Sequence, residues 1–420
     1  MFHSRFVKCR TFPWKGRVPE QQDRLQNISG DLTLNREKIN EIGRETGAVG
    51  YRKKPGTLSY KATQLEYGSM DFFRALANKV DPESGESAPE TTVTLDDISD
   101  TRVEMAAFLT DENDNFIGTI YLPNLRVNGF TINIADPEAS IQRTFDLVSE
   151  KYMILDVDTE IGGYLAYVTD IAEAGTIETP VDFDVVCSPD PVEYADGDYI
   201  FRVVRIRSDE ETSLIEDPTE VDADTWSYDA PSKTVTIKDC LIADEVRIWY
   251  ENSDAPYDTL WANNGDDPDV LLAEYCEIYI KVSDSSRVYR LQTLGIDVKL
   301  TRADFKEIGN SEVVLTGAKE KVVTISLDRF AQDFSLEKIL ADVTGYPCVD
   351  PTEFADTIQI MVKIYKEKEH ENFAIGYLMK NLSPTTLGFS HAVEDYQKTT
   401  NALVGDFLVV SDNEDDIVFD

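Results

Sequence analysis

A chain that carries nearly the same text twice must find a fold in which one unit is built twice. "LQNISGDLTLNREKINEIG" spans residues 25–43, and "LQTLGIDVKLTRADFKEIG" spans 291–309, 266 positions later. The two align without a gap. Eight positions are identical: Leu25/Leu291, Gln26/Gln292, Asp31/Asp297, Leu34/Leu300, Arg36/Arg302, Glu41/Glu307, Ile42/Ile308 and Gly43/Gly309. Random pairing would give on the order of one identity. The echo continues in the same order. "DTRVEMAAFLTDENDNFIGTIYL" (100–122) answers to "DTIQIMVKIYKEKEHENFAIGYL" (356–378), and "IQRTFDLV" (141–148) answers to "YQKTTNALV" (396–404). A unit of roughly 130 residues is therefore duplicated, near 25–155 and near 291–415.

Each unit reads as mostly β. "DLTL" alternates polar and apolar, as a half-buried strand does. Asn35 or Thr301 then stands where a helix N-cap belongs, with Asp304 completing a near capping box. Leu34 with Ile39, and Leu300 with Phe305, are placed to staple a short helix that Gly43 or Gly309 stops. A strand follows, "TLSYKATQLEY" or "KVVTISLDRF". Ser69 or Ser335 then caps the main helix, with Phe72, Phe73, Leu76 and Val80, or Leu336, Ile339, Leu340 and Val343, facing inward. Two long strands joined by a charged loop come next: "RVEMAAFLT" with "FIGTIYL", and "IQIMVKIYK" with "FAIGYL". The expected class is mainly β, a sandwich with flanking helices, duplicated.

Residues 178–262 have no counterpart in either unit. Their short alternating strands and acidic turns read as an inserted small β-sandwich, and "ANNGDDPDV" as the returning linker. The organisation is then a basic arm over 1–24, a first unit over 25–177, the insert over 178–262 and a second unit over 263–420. The arm carries Arg5, Lys8, Arg10, Lys15 and Arg17 with no acid before Glu20. It can dock on a neighbouring subunit or fold back on its own chain. The closing "SDNEDDIVFD" reads as an acidic, solvated tail.

Composition excludes several function classes. Lys and Arg number 40 against 79 Asp and Glu, a formal net charge of -39. Such a surface repels phosphates, so no grip on nucleic acid is expected. It can serve solubility, a surface that DNA passes without sticking, or adaptation to high salt. No apolar run reaches the roughly 20 residues of a membrane helix, and "MFHSRFVKCRTFPWKGR" has no apolar core of a secretory signal. Cys9, Cys187, Cys240, Cys276 and Cys348 are scattered, which argues for buried thiols in a reducing cytoplasm rather than disulfides or zinc. None of His3, His370 and His391 pairs with a nucleophile, and His370 in "KEKEHEN" reads as a solvated loop residue. No Walker loop, GxGxxG, GxSxG or HExxH occurs, so neither catalysis nor a cofactor is expected. "DENDN" (111–115) reads as a hairpin tip, because Phe116 stands where a calcium loop needs glycine. "NNGDDPD" keeps an ion-binding alternative open. "NIS" at Asn27 and "NLS" at Asn381 match the short glycosylation pattern without further support.

"GTIYLPNLRVNGFTINIADPEASIQRTFDLV", "YRLQTLGIDVKLTRADFKEIGNSEVV" and "QLEYGSMDFFRALAN" resemble major tail tube proteins of tailed viruses. The insert resembles the immunoglobulin-like domains that such proteins carry. The resemblance implies subunits that close into rings around a channel, with the rings stacked as a virion tail tube assembled in the host cytoplasm. It implies as partners the tape-measure protein, tail terminator and baseplate or tip proteins, and genome DNA in transit, and no membrane. Two fused units imply trimeric rings of pseudo-sixfold symmetry. An acidic channel would let DNA slide, and Glu104 and Asp100, aligned with Ile360 and Asp356, are the candidate lining residues. An outer insert favours a non-contractile tail. A tail terminator or baseplate ring of the same fold, or a β-rich adhesion module, are the alternative readings.

Overall fold

The computed structural model describes residues 7–12, 20–21, 24–34, 36–39, 50–53, 56–77, 79, 91–99, 103–110, 116–135, 138–149, 152–156, 164–172, 181–187, 191, 200–207, 210–216, 224–252, 269–282, 285–288, 291–305, 315–330, 335–341, 357–390 and 398–419. The first repeat holds β1 (Val7–Phe12), β2 (Glu20–Gln21), β3 (Leu25–Thr33), β4 (Arg36–Ile39), β5 (Gly50–Lys53), β6 (Thr57–Leu65), α1 (Asp71–Ala77), β7 (Thr92–Thr94), α2 (Leu95–Ser99), β8 (Val103–Thr110), β9 (Phe116–Ile134), β10 (Gln142–Ser149) and β11 (Met153–Asp156). The insert holds β12 (Tyr164–Ile171), β13 (Val181–Val186), β14 (Ile200–Arg207), β15 (Glu210–Ser213), β16 (Ile215–Glu216), β17 (Thr225–Asp229), β18 (Thr234–Cys240) and β19 (Glu245–Asn252). The second repeat holds β20 (Cys276–Lys281), β21 (Ser285–Arg287), β22 (Leu291–Phe305), β23 (Leu315–Phe330), α3 (Ser335–Leu340), β24 (Ile358–Tyr365), β25 (Phe373–Ser390), β26 (Lys398–Gly405) and β27 (Phe407–Ser411).

The fold is mainly β. Eight strands form one continuous antiparallel run, β3-β6-β10-β9-β22-β23-β26-β25. Its first four strands come from the first repeat and its last four from the second. The long strands β9 and β25 leave this run at their N-terminal halves. There they join two further sheets, β2-β1-β8-β9-β11 and β21-β20-β24-β25-β27. Strict alternation drives this arrangement: along β6, Leu58, Tyr60 and Ala62 are buried while Thr57, Ser59 and Lys61 are exposed. The buried faces of both repeats, with Phe72, Phe73 and Leu76 of α1 and Leu336 and Leu340 of α3, form one core.

The duplication extends to irregularities. The β3–β6 ladder slips between Leu25 and Asn27, and the β22–β23 ladder slips between Leu291 and Thr293. The shared glutamines are the residues skipped: neither Gln26 nor Gln292 has a cross-strand partner in these ladders. The β9–β10 and β25–β26 ladders each carry a bulge, at Asp146/Leu147 and at Pro384/Thr386. These bulges fall at matching places, as features of one ancestral unit would.

Several expectations need correction. The short helix after each opening strand is absent where described: residues 36–39 and 301–305 are strands, paired with β5 and with the start of β23. The polar residues that look like a cap mark a β-bulge at Thr301/Arg302. A partner strand alongside supplies the backbone hydrogen bonds that a short helix would have had to make alone. The Leu34–Ile39 staple is likewise absent, because Leu34 is exposed. Glu41, Ile42, Gly43, Glu307, Ile308 and Gly309 lie outside the described residues, as do Val80 and Val343.

The domain boundaries shift too. β1 pairs with β8 as β20 pairs with β24, so Lys8 and Arg10 of the expected arm stand in an integral strand of the first repeat. Arg5, Lys15 and Arg17 lie outside the described residues. The insert is a sandwich of two four-stranded sheets, β12-β19-β14-β15 and β13-β18-β17-β16, around Val203, Trp226, Val235, Ile237, Ile248 and Tyr250. It takes in β12, so it begins before residue 178.

The C-terminal stretch is docked rather than solvated. Ile417 is buried against Met361, Leu378 and Val409, and Asp416 accepts hydrogen bonds from the Thr91 and Thr92 hydroxyls at 2.7 and 3.0 Å. Those hydroxyl donors, Thr91 first, hold the Asp416 carboxyl below its ordinary pKa. His370 is packed as well, its ring 5.1 Å from that of Tyr365 and its Nδ1 3.4 Å from Glu277. Cys187 and Cys240 are buried, and burial pushes their thiols up to about 12 and about 11, so they are inert.

Candidate self-association edges and channel face

The two repeats are joined inside the chain by one ladder. β9 of the first pairs with β22 of the second, bringing Ile132 opposite Ile296 and Phe130 opposite Val298. Gly129 permits the approach: a Cβ there would lie 2.2 Å from the Val298 carbonyl oxygen. A buried ionic cluster locks the joint. Arg143, fully buried, sets Nη1 3.3 and 3.4 Å from the Glu66 oxygens, donates to Ser69 O at 3.0 Å and to Gln64 Oε1 at 3.2 Å. Its guanidinium carbon lies 5.3 Å from the Tyr67 ring centre and 5.6 Å from that of Phe73. Tyr377, from the second repeat, donates to Glu66 Oε2 at 2.8 Å. Burial, then the Glu66 carboxylate, push the Tyr377 hydroxyl well above its ordinary range, so it remains a donor.

The outer edges of the eight-stranded run repeat the inner ones. β3 is the counterpart of β22, and the C-terminal half of β25 is the counterpart of that of β9. Following the ladders, Leu34 corresponds to Leu300, Leu387 to Phe130 and Phe389 to Ile132. Tyr152 corresponds to Leu408 and Ile154 to Val410. Among the described residues eight large apolar side chains are exposed, and five of them are these edge residues. Phe389 is 82% exposed where Ile132 is 1%, and Ile154 is 65% exposed where Val410 is 1%. The surfaces covered in the internal joint are thus bare at the two ends of the molecule.

The face of the run that points away from the core is a carpet of small polar groups. One cross-strand row reads Asn27, Thr63, Thr144, Thr131, Asp297, Thr324, and the next reads Ser29, Lys61, Asp146, Gly129, Lys299. The Thr63 and Thr144 hydroxyls are 3.0 Å apart, and Lys61 Nζ lies 3.0 Å from Asp146. By strand alternation, five carboxylates (Asp31, Asp146, Asp297, Glu320, Asp328) stand here against four cations (Lys61, Arg126, Lys299, Lys398). On a chain at -39 this face is nearly neutral.

Glu104 is not on it. That carboxylate is buried, accepts from Tyr121 at 2.5 Å, and is bonded by Arg202 of the insert, whose guanidinium lies 4.7 Å from the Trp249 ring centre. Strand parity alone could not separate a channel position from a domain contact. Asp100 lies outside the described residues. The shared motif does not gather into one site. Leu300 is core, Leu25 and Leu291 pack on its margin, and Asp31 and Asp297 are on the polar face. Gln26 is exposed and Gln292 half-buried, each at the slip that opens its strand, and Arg36 is exposed on β4. Identity at the two glutamines therefore marks a matching backbone irregularity rather than a shared binding position. Arg302 donates to Ile98 O at 3.4 Å, tying β22 to α2 of the first repeat. Residues 111–115, between the paired ends Thr110 and Phe116, are outside the description, and so is most of "NNGDDPD". Among the described residues no group of three His, Cys, Asp or Glu is arranged to hold a metal ion, and no helix is long and apolar enough to cross a membrane.

No family model matches the chain. No curated protein sequence matches it. Among solved structures, a chain of the anti-feeding prophage baseplate, determined by cryo-electron microscopy with sixfold symmetry, superposes on 36% of this chain and 92% of its own. The two are 12% identical, with a TM-score of 0.25, a superposition too loose to bear on role.

Proposed function

We propose that this chain is a structural subunit of a viral tail that associates head to tail into rings, the rings stacking as the tail tube. The carrying observation is the pair of bare outer edges. β25 of one chain can meet β3 of the next as β9 meets β22 within the chain, and the same contact repeated with a closing rotation gives a ring. Six repeats in such a ring require three chains, the trimer that the sequence resemblance implies. The eight-stranded run would then line the channel, and its small, nearly neutral polar face suits passage of the tape-measure protein and of DNA without adhesion. The insert, docked through Arg202 on the opposite side, would lie outside. In this reading the protein is not an enzyme and holds no cofactor. The joint between chains is not a strict copy of the inner one: Thr386 stands at the register of Gly129, so the backbones must sit further apart there.

The test is electron microscopy of the purified chain, with end-on symmetry determined, beside Phe389→Asp. The expected result is rings or tubes of threefold, near-sixfold symmetry that the variant loses while keeping its melting temperature, since Phe389 contributes little to the free subunit's core. Rings that never stack would favour a terminator or baseplate role. Monomers at every concentration, alone and with tail-tip complexes, would overturn the reading.

A further inference from the structure

We infer that the edge of β11 away from β9 is a second contact between chains, taking a short strand from a second copy of this protein. The inference rests on the head-to-tail reading above. Its pattern is present within the chain. β7, from the first repeat, adds to the edge of β27 in the second, with Thr94 opposite Val409, Val93 opposite Val410 and Thr92 opposite Ser411. Arg74 on α1 pins this clasp by donating to Asp412 at 2.5 Å.

β11 is the counterpart of β27. Both pair with the N-terminal half of a long strand, Met153 opposite Tyr121 and Val409 opposite Leu378. Among the described residues, β11 has β9 as its one strand neighbour, and Ile154 on it is exposed where Val410 is covered. An apolar open edge of this kind is a template for strand addition. Charge repeats the pattern. Asp156 stands at the register of Asp412, and, counted from the first residue of each helix (Asp71 and Ser335), Lys338 on α3 stands where Arg74 stands on α1, with Leu336 and Leu340 matching Phe72 and Leu76. When the second repeat of one chain faces the first repeat of the next, the Lys338 position faces the Asp156 position as that of Arg74 faces that of Asp412.

The experiment is a charge swap in the full-length chain: Lys338→Glu, Asp156→Lys and the double variant, followed by sedimentation velocity across concentration. Amide exchange of residues 153–156 is measured in parallel on free and assembled wild type. Each single reversal should raise the concentration for half-assembly about fivefold, the upper end for one exposed ion pair. The double variant should return close to wild type, and the β11 amides should slow on assembly. Singles that assemble like wild type, a double no better than its singles, or β11 amides equally fast in rings would overturn the contact while leaving the ring reading intact. A wild type that never associates would overturn both.

Discussion

Arg143 carries a charge while fully buried, and Gln64, Glu66, Ser69, Tyr67 and Phe73 answer that charge. Burial, the largest influence, opposes ionisation, but Glu66 first and then Tyr67, Tyr377 and Asp71 together outweigh it and raise the guanidinium's affinity for its proton. Removing one member of such a pair strands the other. Glu66→Ala should cost about 3–5 kcal/mol in urea unfolding. Tyr377→Phe should cost only about 1 kcal/mol, because Glu66 keeps Arg143 and the Tyr67 and Gly68 N–H groups at 3.1 and 3.0 Å. A Tyr377→Phe loss as large as that of Glu66→Ala would mean that the hydrogen bond between the repeats, not the Arg143–Glu66 pair, dominates the cluster. This pair is invisible in the aligned sequences. In the second repeat Thr399 takes the place of Arg143, and the cation moves one strand over to Arg329, which meets Glu337 at 3.5 Å. Alignment by identity misses a charge that changes strands.

The elements are legible where one face is buried for a long way. Alternation locates β6, β8, the N-terminal half of β9 and their counterparts in the second repeat, and Ser69 caps α1 as expected, accepting from the Asp71 N–H at 3.1 Å. Local signals fail where a neighbour strand can overrule them, as at residues 36–39 and 301–305. They also fail where a strand's partner lies far away in sequence: β1 is hidden by its basic residues, and β12 by lying outside the apparent insert. Gly129 shows the same limit. Nothing adjacent marks it, yet it lets β9 approach β22. Gly129→Val should force the strands apart, costing about 1–3 kcal/mol and speeding amide exchange in residues 294–299. Gly388→Val, with no atom nearer than 3.7 Å to a Cβ, is the control and should leave the free subunit's stability nearly unchanged. Equal effects would show that close approach at the joint is unimportant.

At the scale of the molecule, the question is where a charge of -39 sits relative to anything that passes through. An acidic channel is the natural expectation from composition, but the eight-stranded face has almost balanced charge and is built from Thr, Ser, Asn and Gly. Among the described residues, carboxylates also stand on other surfaces, including Asp182, Asp184 and Asp229 of the insert and the C-terminal turn at Glu414–Asp416. If this face lines a channel as proposed, passage without adhesion depends on having few cations to bind phosphate rather than many anions to repel it. The two ideas separate experimentally. Thr131 and Thr144 are neighbours on this face, exposed to a comparable degree and opposite each other in register. Thr131→Lys with Thr144→Lys should leave assembly intact and make the rings retain duplex DNA at low salt. Retention should weaken as salt rises, since each phosphate contact releases counterions. Wild-type rings should retain none. Retention by Thr131→Lys/Thr144→Lys would put the neutral face in the channel. Assembled variant rings that still ignore DNA would place that face elsewhere and remove the reason for its composition.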